Sequence, residues 1–360
     1  MPSPNLVIYH YFEKDASYRD NFLHFLVFGV ETETDYLVVI SGDYSVDLPS
    51  LPNVRYLFTP PKKSDFGGYA HVINAGLDLG PYEHIFFINS SVRGPFLPAY
   101  SGRSWTHLFL EQMQEDVGMV GTSICTIKAD FRHSLNYQAR FGGTPPYSHV
   151  QTMAYALRRS VLEKLIEQGF YGEERDATKT LAIENYEIHL SQSVLQLGWN
   201  LRSLLPELNA IDYRLPHTNP NPSSTIGDPN EVLGYFGRSV HPYEVVFVKT
   251  NRDLYTEAYL ARLTYSMWQI RKVTISPALV AAPAIADYLK SISTEALSIE
   301  SVSDFSYLPG AIEAQNQLQI ALQESKVAQE QYLQMRSSTS WRITAPLRAF
   351  KDWLSGASKK

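Results

Sequence analysis

Ile85–Pro98, IFFINSSVRGPFLP, is a run of apolar residues that stops at a small polar triplet, followed by one Arg, a Gly-Pro turn and a second Pro. A strand buried on both faces of a parallel sheet reads as an unbroken apolar run. Groups delivered past its carboxyl end stand at the rim where such sheets bind ligands. Asn89, Ser90 and Ser91 are therefore candidate ligand contacts, with Arg93 close behind them.

The same rhythm extends on both sides. Asn5 to Phe12 reads as a first strand, and Tyr18 to Val30 as a helix with Phe22, Leu23, Phe25, Leu26 and Val30 on one face. Tyr36 to Ile40 is a second buried strand with Ser41-Gly42-Asp43 just past its end, and Asn53 to Phe58 is a third. A helix from about Gly68 to Leu79 leads into the strand that ends at Asn89. Strand and helix alternating at this spacing predict an α/β fold, a mostly parallel, doubly wound sheet flanked by helices.

Farther on, Val117 to Ile124 and Val150 to Leu157 read as strands, Ser160 to Gln168 and Glu184 to Leu197 as helices, and Leu201 to Leu205 as a short strand. Pro216 to Pro229 is dense in Pro, Asn and Ser and reads as a mobile loop. Val245 to Lys249 is an apolar strand ending beside Asn251 and Arg252.

Composition shifts beyond Asp253, which divides the chain into a domain over 1–255, a helical extension over 256–305, a stalk over 306–336 and a tail over 337–360. Thr256 to Arg271 is predicted helical. Ala311 to Met335 resembles a short coiled coil, which self-associates into a homo-oligomer or folds back. The segment SWRITAPLRAFKDWL, Ser340 to Leu354, sets Trp341 and Trp353 among Arg342, Arg348 and Lys351. That mixture suits a helix lying in an anionic membrane interface, and equally a helix packed on the rest of the protein.

Bulk properties narrow the function classes. Hydrophobic residues at 44% supply a large core, and 23 Tyr suit polyhydroxylated ligands, whose apolar faces a ring covers. A net charge of −6 argues against whole-chain nucleic-acid binding. Cys125 is the single cysteine, so neither a disulfide nor a cysteine metal cluster is expected, in keeping with a reducing cytoplasm. MPSPNLVIYHYF does not read as a signal peptide, and no segment approaches the roughly 20 apolar residues that span a bilayer. A cytoplasmic protein, peripheral on the inner membrane face, is the expectation.

Asp65-Phe66-Gly67-Gly68-Tyr69 precedes His71 and Asn74 and runs toward the Ile85 strand. Residues 66–98, FGGYAHVINAGLDLGPYEHIFFINSSVRGPFLP, resemble a branch of bacterial polysaccharide glycosyltransferases of the GT-A fold, in a group that includes rhamnan-synthesis-type proteins. HPYEVVFVKTNR, His241 to Arg252, is similar to the end of the catalytic domain in that group, and the similarity covers roughly Asn5 to Arg252. The resemblance implies a nucleotide-sugar half over about 1–125 and an acceptor half over about 126–255. It implies an enzyme that moves a sugar from a nucleotide-sugar to a glycan or lipid-linked glycan in surface polysaccharide biosynthesis, such as O-antigen or capsule.

It also implies roles for particular residues. In many inverting enzymes of this type an acidic pair opens a helix that ends in Gly plus an aromatic, and the second acid is the base. Here the ending is Gly198-Trp199, and counting back puts the pair on Tyr186-Glu187, so Glu187 takes the base position with Glu184 one turn earlier. Inverting transfer needs such a carboxylate to take the acceptor hydroxyl proton while the anomeric carbon becomes oxocarbenium-like. On the residues alone, Glu187 equally suits capping its helix or pairing with a basic residue.

The family pattern has Asp-X-Asp holding a divalent cation where this chain has Asn89-Ser90-Ser91. Hard divalent ions prefer carboxylate oxygens. Two routes stay open: Arg93, Lys249 or Arg252 neutralises the diphosphate directly, or Mn or Mg is held by Asn89, His241 and the diphosphate itself. Arg93 also suits a salt bridge that pins its turn. By the same resemblance Asp43 and Asp65 contact the nucleotide, Gly67 and Gly68 permit close backbone approach, and Asn74 stands with them. His71, His149 and His189 lack metal-ligand spacing and read as structural. A catalytically silent nucleotide- or sugar-binding protein of the same fold is the competing reading. A dinucleotide-dependent oxidoreductase is disfavoured, since no GxGxxG follows the first strand.

Overall fold

The computed structural model describes residues 4–62, 64–172, 179–224, 226–252 and 254–297; the expected stalk and tail lie outside them. The chain opens β1 (Asn5–Tyr11), α1 (Ala16–Phe28), β2 (Asp35–Ser41), β3 (Val54–Thr59), α2 (Asp65–Asn74), β4 (His84–Asn89) and the two-residue β5 (Val92–Arg93). It continues α3 (Trp105–Leu110), β6 (Val117–Gly121), β7 (Ile124–Ile127), α4 (Arg132–Phe141), β8 (Tyr147–Val150), β9 (Ala154–Arg158) and α5 (Arg159–Glu167). There follow α6 (Lys179–Ala182), a π-helical turn (Ile183–Ile188), α7 (His189–Gln196), β10 (Asn200–Ser203) and a 3-10 turn (Pro206–Leu208). The described chain ends with α8 (Pro242–Val245), β11 (Val248–Lys249), α9 (Glu257–Arg271), α10 (Pro277–Val280) and α11 (Pro283–Leu297).

The expected α/β architecture is present. Seven strands form one sheet in the order β10-β6-β9-β4-β1-β2-β3, parallel throughout except β9, which runs against both neighbours. β1 and the four central residues of β4 are wholly buried because helices cover both faces, which is why they read as unbroken apolar runs. β3 lies at the edge and is buried only at its two ends, Val54 and Thr59, leaving Phe58 exposed.

The strand order fixes where a ligand belongs. From β1 the chain builds outward through β2 to β3, then returns to place β4 on the other side of β1. A crevice opens outside the carboxyl ends of strands at such a reversal. His10 of β1 and Asn89 of β4 pair at that end.

Some expected elements divide. Val117 to Ile124 is two strands: β6 stays in the main sheet, while β7 pairs with β8 in a separate hairpin. Val150 to Leu157 likewise splits between β8 and β9. A continuous apolar run does not reveal that its ladder partner changes midway. Val245 to Lys249 is the end of α8 plus β11, with Val246 between them at φ +65°, a strained conformation for a β-branched residue. The 216–229 loop is pinned rather than loose. Asn221 and Asp228 are buried, Asn221 Nδ2 donates to Gly234 O at 2.6 Å, and Gly227 packs where a Cβ would lie 2.0 Å from Thr126 O. Helices α9 and α11 share the main core, with His24 of α1 hydrogen-bonded to Tyr288 at 3.1 Å.

Candidate active site

A cleft of about 790 Å³ lies at the reversal between β1 and β4. Its floor is the carboxyl ends of those strands with the start of α2: His10, Phe12, Ser64, Asp65 and Asn89 to Ser91. The β7 end, the start of α4, the π turn and the β11 segment complete the rim.

Asn89 is spent on local order. Its Nδ2 donates to Asp65 Oδ2 at 2.7 Å, and its Oδ1 accepts from Ser91 N at 3.1 Å and Ser91 Oγ at 2.5 Å. Ser90 is buried and stitches β4 to β1, donating to Phe12 O at 3.0 Å and accepting from Phe12 N at 3.1 Å. Burial raises the Asp65 carboxyl to about 6, with the Glu187 charge raising it further and the Asn89 bond opposing. His10 carries a buried Nε2 without a hydrogen bond, and burial, then Lys62, lowers it to about 4, so its ring is neutral near pH 7.

Lys249 reaches the cleft because β11 pairs antiparallel with β5, setting Lys249 opposite Val92. Burial lowers its ammonium pKa, while the charges of Glu187, Asp228 and Asp65 hold it up against Arg252. Arg252 Nη1 bonds Asp228 Oδ2 at 2.8 Å, and Asp228 is buried in the pinned loop. Lys14, Lys62, Arg132, Lys249 and Arg252 line the cleft against Asp65, Glu187 and Asp228. Five cations against three carboxylates leave it two charges positive, in a chain that is acidic as a whole.

Glu187 and Glu184 part company. The expected α-helix from Glu184 begins instead as a π turn over Ile183–Ile188. Bonds from i to i+5 put more residues in each turn, so positions three apart no longer share a face. Glu187 lines the cleft, and its carboxylate makes no hydrogen bond or ion pair with the described residues. Glu184 is turned inward, 4% exposed, and accepts from Asn136 Nδ2 at 2.8 Å and pairs with His133 Nδ1 at 2.9 Å.

Several expected contacts lie elsewhere. Arg93 is 1% exposed and off the cleft, held by Asn21 Oδ1 at 2.9 Å and Glu257 Oε2 at 2.6 Å. Its partners lie on α1 and α9, so this Arg ties the short strand β5 to both helices. Asp43 is exposed and outside the cleft lining. Asn74 stands at the far end of α2, donating to Tyr171 O at 2.7 Å. Gly67 and Gly68 are interior to α2, and Gly68 serves packing, since a Cβ there would lie 2.2 Å from His10 Cδ2. His241 caps α8, accepting from Tyr243 N at 3.1 Å, with its Nε2 on the Tyr259 hydroxyl at 3.0 Å. Asp65, Asn89, Ser90, Ser91, Glu187, Lys249 and Arg252 do meet in the cleft.

Sequence reasoning passed over His10, Lys62, Arg132, His133 and Asp228, all of which line the cleft. His10 was reachable by the strand-end rule that selected Asn89. Arg132 and His133 follow a hairpin strand that no periodicity separates from its neighbour.

The β4 end does not fit a hard divalent ion. Asn89 Oδ1 already accepts two hydrogen bonds, Ser90 is consumed by Phe12, and among the described residues Asp65 is the one carboxylate hydrogen-bonded to the triplet. Among the described residues no three His, Cys, Asp or Glu side chains form a metal-binding group. Cys125 is buried at the cleft, where burial raises its thiol pKa. No described helix is long and apolar enough to cross a membrane.

No protein-family model matches the sequence. No curated protein matches it. Among solved structures, the chain is similar to mannosyltransferase PcManGT from Pyrobaculum calidifontis in complex with GDP-Man and Mn2+, with 11% identity and a TM-score of 0.35 over 96% of this chain and 84% of that one. It is similar to galactosyltransferase LgtC in complex with donor and acceptor sugar analogues, with 10% identity and a TM-score of 0.35 over 84% and 100%. It is also similar to 4-diphosphocytidyl-2C-methyl-D-erythritol synthase from Anaerococcus prevotii, with 14% identity and a TM-score of 0.30 over 59% and 90%. Likenesses this slight leave the chemistry to be argued from the cleft.

Proposed function

We propose that the chain is a glycosyltransferase of the GT-A type that takes a nucleotide-sugar donor and inverts the anomeric centre. The observation that carries this is the charge layout at the strand reversal: Lys249 and Arg252 line the same cleft as Asn89–Ser91, and Glu187 acts on Lys249 through its charge while making no hydrogen bond or ion pair with the described residues. A departing nucleoside diphosphate is the anion such a cleft suits, since fixed cations in a shielded site stabilise charge as it develops. The sugar–diphosphate bond breaks with its electron pair going to the diphosphate oxygen. The acceptor oxygen bonds the anomeric carbon from the opposite face, and its proton passes to Glu187. Lys249 takes the growing negative charge, and Arg252 is aligned for the same task by Asp228.

The acceptor in this reading is a glycan or lipid-linked glycan of a surface polysaccharide, and the enzyme works at the inner membrane surface. The basic, tryptophan-containing tail supports it through its sequence, because anchoring raises the effective concentration of a lipid-linked acceptor. Flotation with anionic liposomes tests the anchor, and equal flotation after deletion from Ser340 onward would refute it. A silent binding protein is the second reading, favoured by one observation: Asn89, at the metal-motif position, is consumed by its own neighbours.

A panel of nucleotide-sugars, with and without chelator, tests the main reading. Nucleotide release or transfer is expected, falling about 100-fold or more in Glu187→Gln, in line with loss of a general base. Tight nucleotide binding without turnover of any donor favours the silent reading. Activity abolished by chelator overturns neutralisation by side chains alone.

A further inference from the structure

We propose that His133 and Glu184 form an acceptor-binding dyad, in which His133 Nε2 takes a hydrogen bond from a hydroxyl of the sugar acceptor. The inference rests on the transferase reading above. Glu184 Oε1 meets both His133 Nδ1 at 2.9 Å and Asn136 Nδ2 at 2.8 Å. An ionised carboxylate only accepts, so the ring faces it with Nδ1–H, and in that tautomer Nε2 presents a lone pair. That atom makes no hydrogen bond with the described residues. His133 is 8% exposed yet lines the cleft, so what remains accessible of its ring faces the cleft.

A buried carboxylate behind an imidazole fixes both tautomer and ring angle. The π turn that separates Glu184 from Glu187 is what supplies it. The chemistry of the ligand follows from the lone pair. An acceptor atom repels phosphate oxygens and attracts hydroxyl hydrogens, whereas Lys249 and Arg252 do the reverse. The cleft thus offers two kinds of contact: cations, Lys249 and Arg252 among them, for the diphosphate, and the His133 lone pair for a hydroxyl of a polyhydroxylated sugar.

Two measurements on the full-chain protein test this. In 15N-histidine-labelled protein, long-range 1H–15N NMR, with the His133 peak assigned by His133→Gln, is expected to show the Nδ1–H tautomer, giving way to a mixture in Glu184→Gln. The Nε2–H tautomer would overturn the dyad and leave the transferase reading standing. With a donor fixed by the nucleotide-release panel and p-nitrophenyl glycosides as acceptor probes, His133→Phe is expected to raise acceptor KM about 5- to 10-fold, the loss of one neutral hydrogen bond. Donor KM, and donor hydrolysis without acceptor, should stay within about twofold, and His133→Gln, whose amide oxygen accepts, should recover part of the loss. An unchanged acceptor KM overturns the inference. So does an equal loss of hydrolysis and transfer, which marks a base or a folding defect. No turnover of any donor by the wild-type protein sinks the transferase reading and the inference with it, a result told apart by an intact NMR signature.

Discussion

Replacing Arg93 separates a structural cation from a ligand-binding one. Its guanidinium is buried, with Nε on Asn21 and Nη1 on Glu257, and Nη2 makes no hydrogen bond. In Arg93→Met the aliphatic stem is largely retained, so little packing is lost. Asn21 is fully buried, and its Oδ1 loses its donor, which costs about 1–3 kcal/mol. Glu257 is 59% exposed and returns to water, so the ion pair itself adds little. The sum is about 2 kcal/mol, a fall in Tm of about 3 °C for a unit that spans Met1–Glu300. Asn21 Nδ2 also holds Ser90 O at 3.0 Å and Thr250 Oγ1 at 2.9 Å, and these bonds keep the cleft floor in place in the variant. Thermal melting is therefore expected to shift while calorimetric affinity for a nucleoside diphosphate changes less than about twofold. A loss of affinity of tenfold or more with an unshifted Tm would refute the reasoning and return Arg93 to the donor site.

Three other perturbations have defined signs. Lys249→Met removes the ammonium set among Glu187, Asp228 and Asp65, and nucleoside diphosphate affinity should fall about 10- to 100-fold, one charge-assisted bond, on calorimetric titration; unchanged affinity excludes it from the donor site. Asp65 titrates near 6 in the folded chain against 3.8 for the ordinary carboxyl, so the folded state binds the proton more tightly. Its contribution to stability is complete below about pH 4 and is lost as pH rises through 6, worth about 1–2 kcal/mol once its access to cleft water is allowed for. Asp65→Asn should flatten urea-unfolding stability over that window, and an unaltered slope would place the titration elsewhere. Gly68→Ala drives a Cβ to 2.2 Å from His10, so Tm should fall by several degrees, with partial recovery in Gly68→Ala/His10→Ala; a neutral single variant would mean that α2 shifts freely.

The sheet was legible because its central strands are covered on both faces, so burial alone writes their sequence. His84–Asn89 and Asp35–Ser41 needed no knowledge of partners. Short strands were not legible in this way. β6 and β7 lie in one apolar run, and only the turn at Thr122-Ser123 sends the second into another hairpin. Site residues followed the same division. Positions just past a strand, such as Asn89, were found, and Lys249 was found at the end of an apolar run. Asp43 obeyed the same rule but lies past β2, one strand away from the reversal, and so misses the cleft. Arg93 failed for a different reason: a cation within four residues of a site reads identically whether it faces the ligand or the core.

The π turn is where local pattern and function diverge most. Glu184 and Glu187 stand three apart, and α-helical spacing would give both to one face, a paired-carboxylate arrangement. The wider turn divides them: one carboxylate lines the cleft and makes no hydrogen bond or ion pair with the described residues, the other goes behind His133. No propensity in IENYEI marks that division, because the cause lies outside the segment. His133 and Asn136 on α4 offer Glu184 two donors, and Phe66 and Phe170 hold the intervening Tyr186 in the core. If α4 sets the turn, His133→Ala/Asn136→Ala leaves Glu184 buried without a donor, which costs several kcal/mol for a carboxylate unless it rotates out. The turn should then relax toward α-helical spacing, so that backbone chemical shifts over 183–188 change and Glu187 hydrogen-exchange protection moves with them. Retention of π-helical shifts in that variant would assign the turn to Tyr186 and its aromatic neighbours instead.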